Sequence, residues 1–399
     1  MQLPSSGAGF WYPNGFMTLH RWLLISALTL VACTPAAAVV DAPKATPLPQ
    51  PTEAFPTAAV TSAPTAAPVA RPTATAVIEP SPSPEPTITL MFTGDIQLGR
   101  CVFTLAQATG DLTSPFAALA DTLSAADLTI GSLDGTISDV NPPGRCAEDH
   151  RNLLGPTAML PGLTRAGFDV ITTATNHARD CGLVRGCVYE SLLDTRANLL
   201  ATGIQPVGTG ADLAGALAPV ILEVKGVRIA FLGLSGIDAS LWASPETPGT
   251  GPLDQKVYTA AVQAAAADSD LVVVLPHWGQ EYKNELSWLQ ITHADALAAA
   301  GADLIVGNHP HRVQAIETLP TGAVVAYALG NFVFDQQWSD GSMFTIQGIV
   351  LKVVLRGSEI VEVTPIPIQI FDNFQPRLAP AESAGMIAAE IEQSLESRP

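Results

Sequence analysis

Basic residues are scarce in this 399-residue chain: 19 Lys and Arg stand against 37 Asp and Glu, a formal net charge of −18. With no basic surplus to neutralise phosphates, sequence-independent binding to nucleic acid is excluded as a function. An acidic polymer can then be held only locally, for instance by a metal. Charge of either sign is also low, at 14%, while 47% of residues are hydrophobic, which favours a well-buried globular core over a disordered chain. Cysteine is sparse, five residues with no CxxC pair, so a zinc site built from cysteines is disfavoured. No Walker loop occurs. The stretch "GTGADLAG" lacks the strand, glycine turn and helix order of a dinucleotide site, and "GLSG" around Ser235 is not the G-x-S-x-G elbow of a serine hydrolase.

What is present begins with "HRWLLISALTLVAC". His20 and Arg21 precede eleven uncharged residues ending at Ala32, and Cys33 follows. The run is too short to span a bilayer comfortably and reads as an export signal. Its ending, Leu30-Val31-Ala32-Cys33, resembles a bacterial lipoprotein cleavage site, with Cys33 the lipidated first residue of the mature chain. The expected location is therefore the outer face of the cytoplasmic membrane, held by a lipid anchor, or otherwise extracellular after ordinary cleavage. Met17 is a candidate true start. Residues 34–85 are Pro, Ala and Thr with hardly an aromatic, a composition that cannot bury enough apolar surface to fold and makes a semi-rigid spacer. Four cysteines remain, Cys101, Cys146, Cys181 and Cys187, an even number for an oxidising compartment, with Cys181 and Cys187 expected to pair. Residues 86–375 are expected to form the folded domain, and 376–399 a C-terminal tail helix.

From residue 86 one phrase recurs: an apolar run of strand length, a polar or glycine-containing loop, then a helical pattern. The runs "TITLMFTGD", "DLTIGSLDG", "FDVITTATNH", "GVRIAFLGLSG", "DLVVVLPHWG", "ADLIVGNHPH" and "AVVAYALGNF" are nearly continuous in Val, Ile and Leu, as strands buried on both faces are. Between them "SPFAALADTLSAAD", "YESLLDTRANLLATG", "YTAAVQAAAADSD" and "ELSWLQITHADALAAAGAD" are helical in composition. Such alternation predicts an α/β fold.

In α/β sheets, ligands sit beyond the carboxyl ends of the strands. Asp95, Asp134, Asn176 with His177, His277, and His309 with His311 fall there. In "GNHPH" an extended backbone would point both imidazoles to one side, with Pro310 keeping the preceding residue out of helix. Alone, that pair favours a polar turn over a ligand pair. Four loop histidines with three other candidate ligands at strand ends reverse that and decide for a metal. His20 lies in the signal, His150 in a loop insertion, and His293 in an Ala-rich helix as a structural residue. The mixed oxygen and nitrogen donors suit Mn, Fe or Zn, and a bridging carboxylate would let two divalent ions share them.

Six stretches in order, "TGDIQLGR", "SLDGTI", "TATNHARDCG", "PHWGQEY", "GNHPHRVQ" and "ALGNFVFD", resemble the motif set of the CapA family, capsule and poly-γ-glutamate synthesis proteins within the calcineurin-like metallophosphatase superfamily. The resemblance implies a four-layer α/β/β/α sandwich with two mixed sheets. It implies Asp95 and His311 as ligands of a first metal, Asp134 as the bridge, and Asn176, His277 and His309 on the second. It makes His177 the proton donor, oriented by Asp180, with Arg100 neutralising substrate, Glu281 and Asn331 supporting the ligands, and Asn331 with Asp335 shaping a turn. Gln97 departs from the superfamily, which has histidine two residues after the first aspartate, and "SLD" at Ser132 to Asp134 departs from the family's "NLE". The implied role is a metal-dependent hydrolase or transferase in synthesis or anchoring of an anionic envelope polymer, with a polymer synthase complex as partner. The alternatives are a non-catalytic polymer-holding lipoprotein and a secreted phosphoesterase.

Overall fold

The structure is a computed structural model that describes residues 85–144, 146, 152–182, 186–337 and 342–398. The signal, Cys33, the spacer up to residue 84 and His150 lie outside the described residues.

The chain runs through β1 (Thr87–Ile96), α1 (Arg100–Thr109), β2 (Leu128–Leu133), α2 (Leu160–Arg165), β3 (Phe168–Thr172), α3 (Glu190–Ala201) and β4 (Gln205–Val207). A second stretch holds β5 (Val220–Val224), β6 (Val227–Ser235), α4 (Gln255–Asp268), β7 (Leu271–His277), α5 (Trp288–Ala300) and β8 (Leu304–Val306). Then come β9 (Ile316–Thr318), β10 (Val324–Ala326), β11 (Asn331–Val333), β12 (Gln347–Arg356), β13 (Glu359–Phe371), β14 (Gln375–Leu378) and α6 (Ala381–Glu396).

Two mixed sheets result. The first has the order β14-β13-β12-β1-β2-β3-β4, with β11 also on β1, and the second β9-β10-β8-β7-β6-β5. Pairing is parallel from β1 to β4 and from β6 through β7 and β8 to β10, and antiparallel at the outer strands. Between the sheets lies one apolar layer in which Leu90, Phe92, Ile130 and Val170 of the first meet Phe231, Val273, Leu275 and Val306 of the second. On the outer faces, Val102, Phe116 and Leu163 cover the first sheet, and Tyr258, Val262, Ala294 and Leu297 cover the second. Strands buried on both faces need apolar residues at odd and even positions alike, which is why the runs read as continuous. The fold is the α/β/β/α sandwich with two mixed sheets.

One segment differs from the sequence reading. The first part of "SPFAALADTLSAAD" winds as successive i to i+3 turns, with a helix only at Ala120–Ser124. The Asp111 carboxylate captures the Thr113 amide and hydroxyl, and Pro115 offers no N–H, so local side-chain bonding displaces the helix. The long hairpin β12–β13 follows the recurrent phrase without being part of it. In β13, Pro365 and Pro367 both lie before the stretch that pairs β14, where missing N–H groups are tolerated.

Candidate metal centre

Parallel strands bring their carboxyl ends to one edge, and the polar residues gather there. Asp95 lies near the end of β1, whose close approach to the turn before β11 requires Gly94: a Cβ there would stand 2.0 Å from the Gly330 carbonyl oxygen. Asp134 follows β2, Asn176 to Asp180 follow β3, His277 ends β7, and His309 and His311 follow β8.

The side chains converge. Asp95 Oδ1 accepts from the Ser132 hydroxyl at 2.9 Å and Asp95 Oδ2 from the His309 amide at 3.1 Å. Around His277 Nε2 stand Asn176 Oδ1 at 2.8 Å, His309 Nδ1 at 3.2 Å and Asp134 Oδ1 at 3.6 Å. His311 Nδ1 lies 2.8 Å from Asn331 Oδ1 and 3.6 Å from Asp95 Oδ2, and its Nε2 3.9 Å from Asp134 Oδ2. All six candidate ligands therefore belong to one cluster. Except for Asn176 they are buried, and both Asp134 oxygens lack a hydrogen-bond partner.

The backbone achieves this differently from the extended HxH expected. His309 and His311 have φ of 103° and 55°, left-handed values uncommon outside glycine, so the rings meet across a kinked loop with centroids 6.1 Å apart. A Pro between two histidines signals non-helical backbone but does not distinguish a β segment from such a kink.

Burial sets the electrostatics. It pushes the carboxyl of Asp95 well above its ordinary range, with the Asp134 charge adding to the effect. It pushes His277 and His309 well below theirs, aided by the neighbouring imidazoles, and lowers His311, leaving neutral rings, the form that binds metals. His177 goes the other way. Burial opposes its charged form, but Asp134 and the Asp180 hydrogen bond outweigh that and raise it to about 9. Its Nδ1 is 2.7 Å from Asp180 Oδ2, which also accepts the Leu153 amide at 2.6 Å.

No group of three or more His, Cys, Asp or Glu side chains among the described residues stands in a ready metal-holding arrangement. The donor set nonetheless fits a divalent transition metal. A buried carboxylate with two unpartnered oxygens, flanked by neutral imidazoles and an amide oxygen, is costly unless a cation satisfies it.

Other expected residues have plainer partners. Arg100 pairs with Asp335, which also accepts the Cys101 amide, so that aspartate ties down the start of α1. Gln97 Oε1 accepts the Gly99 amide at 2.8 Å and stays out of the ligand contacts. Glu281 is exposed at the rim, where its charge favours protonated His311. Asn331 holds Thr345 O through Nδ2 while facing His311, so it orients the ring. His293 bonds the Tyr258 hydroxyl at 3.0 Å, away from the cluster. Two contacts on the cluster were missed in sequence: Tyr282, stacked on His311 at 5.9 Å, and Phe334, 4.9 Å from it. Tyr282 lies inside the quoted "PHWGQEY", and its φ of 64° could not be read there. Disulfides join Cys101 to Cys146 and Cys181 to Cys187, each beside the site.

Comparison with known proteins adds a family. The family model described as bacterial capsule synthesis protein PGA_cap matches residues 89–336. The chain is 33% identical to the PGA biosynthesis protein CapA of Bacillus subtilis strain 168, over 69% of this chain and 70% of that one. It is 31% identical to the capsule biosynthesis protein CapA of Bacillus anthracis, over 71% and 68%. A solved structure of a phosphatase from Mycoplasma pneumoniae is 17% identical, with a TM-score of 0.45 over 71% of this chain and 94% of that one.

Proposed function

We infer the function from one premise, that the chain belongs to the PGA_cap family of bacterial capsule synthesis proteins: it acts in synthesis or anchoring of an anionic envelope polymer of the capsule or poly-γ-glutamate kind. It does so as a divalent-metal-dependent hydrolase or transferase outside the cell, with a lipid anchor at Cys33 as its link to the membrane and a polymer synthase complex as its partner. The observation that carries the catalytic part is Asp134, a buried carboxylate with both oxygens unpartnered, between His277 and His311.

Asp134, Asn176, His277 and His309 would hold one ion, and Asp95, Asp134 and His311 the other. Bound there, Mn, Fe or Zn supplies Lewis-acid polarisation of the scissile group and a water that ionises near neutral pH. The remaining work belongs to side chains. His177, steered by Asp180, delivers a proton to the leaving group as the bond to it breaks. Asp180 keeps that imidazole in one orientation because Leu153 N–H fixes the carboxylate.

A second reading, a polymer-holding protein without turnover, is favoured by Gln97, whose amide oxygen is engaged by Gly99 rather than offered to the first ion. Metal analysis of the purified full chain after reconstitution with Mn or Zn, with assays on γ-linked glutamate chains and on phosphoesters, separates the readings. Stoichiometric metal with turnover supports the first, polymer binding without turnover the second, and hydrolysis of phosphoesters alone would make it a secreted phosphoesterase.

A further inference from the structure

The six candidate ligands are buried apart from Asn176, and the cluster meets solvent through Asn176, His177 and Asp180, whose His177 and Asp180 side chains keep 19% and 17% of their exposure. That face is open to a substrate. The face is one wall of a cleft of about 390 Å³, lined by Asn176, Arg179, Asp180, Cys187, Val188 and Leu241.

Among the described residues that line the cleft, Arg179 is the one cation. One Nη donates to the Ser240 carbonyl at 3.1 Å, and the guanidinium lies over the Tyr189 ring, 5.4 Å from its centroid. A guanidinium has five N–H donors, so most remain for a ligand. Arg179 makes no ion pair among the described residues, its electrostatic neighbour being the exposed Asp238. Arg100, also near the cluster, is buried against Asp335. The Cys181–Cys187 disulfide closes the loop that carries Cys187 and Val188 to the cleft and leads to Tyr189. The fork is thus held before any ligand arrives.

We propose that Arg179 and this cleft form an anionic-chain subsite, in which the guanidinium takes a carboxylate of the polymer and sets which bond lies over the cluster. This rests on the polymer reading given above. The net charge of −18 gives the reasoning weight: the protein as a whole repels a polyanion, and screening confines attraction to groups within about 8 Å at physiological salt. A fixed arginine matches a carboxylate through two parallel hydrogen bonds, which a lysine cannot supply.

The test is calorimetric titration of the full chain with a γ-linked glutamate decamer. Arg179→Gln should weaken binding roughly ten- to a hundred-fold, the worth of a charge-assisted bond. Arg179→Lys should fall between, and Arg377→Gln, which removes an equal charge far away in sequence on β14, should bind as wild type does. Melting temperatures identify any variant damaged in folding, in which case Arg179→Lys decides. Equal binding by wild type and Arg179→Gln overturns the subsite and leaves the polymer reading standing. Wild-type protein that binds no decamer overturns both.

Discussion

His177 Nδ1 and Asp180 Oδ2 lie 2.7 Å apart within one tight turn, while the neighbouring Asn176 presents its oxygen to His277. Two consecutive residues of one loop therefore face different tasks, one among the ligands and one at the solvent edge. Substitutions should separate them. His309→Ala removes a donor of the second ion and should lower metal content, whereas His177→Ala should retain metal while turnover falls by roughly 10²–10⁴. Elemental analysis and rate measurement on the same preparations decide it. Equal metal loss in both variants would refute a proton-donor role for His177.

The two disulfides should differ in weight. Cys101 and Cys146 are 45 residues apart and Cys181 and Cys187 only 6, and loop entropy in the unfolded chain grows with the length closed. On that account, replacing the first pair by Ser costs about 4 kcal/mol and the second about 2 kcal/mol. Denaturant unfolding of the two double variants measures both. An order reversed between them would mean that loop closure is not how these bonds act.

Acid sensitivity should trace partly to His293. Burial lowers it from the ordinary value near 6.5, so the folded state disfavours its proton. The sign follows from linkage: stability is full above about pH 6.5 and declines as pH falls toward the folded value, because the unfolded chain binds the proton more readily. Between pH 8 and pH 5 wild type should lose more melting temperature than His293→Gln, which can still accept from Tyr258. Parallel losses in the two proteins would contradict this.

The strand runs were legible because burial on both faces writes itself as unbroken Val, Ile and Leu, as in "LVVVL" of β7. So were the polar residues at strand ends, since parallel strands force ligand sites there. What the sequence hid is conformational or distant. The left-handed φ of His309 and His311 depends on the loop's closure against Asp95 and Tyr282, through His309 N–H to Asp95 and Tyr282 N–H to Pro310 O. The pairing of Arg100 with Asp335 spans 235 residues, and no local pattern announces it.

Asp134 provides the sharpest test of whether the cluster is built for a cation. Its carboxylate is fully buried with neither oxygen hydrogen-bonded, so in chelated protein no hydrogen bond offsets its desolvation. Attraction to charged His177 offsets part of that cost, but His177 reaches solvent and its charge is the more screened. The cost should win. Asp134→Asn, nearly the same shape without the charge, should therefore raise the stability of chelated protein by roughly 1–3 kcal/mol. In Mn or Zn that advantage should be cancelled: wild type gains about 2.7 kcal/mol when free metal is a hundred times the dissociation constant, and the variant gains little. Melting curves of both proteins, with chelator and with metal, measure the four values. A chelated variant less stable than chelated wild type, with equal metal-induced gains, would show that Asp134 is an ordinary structural carboxylate.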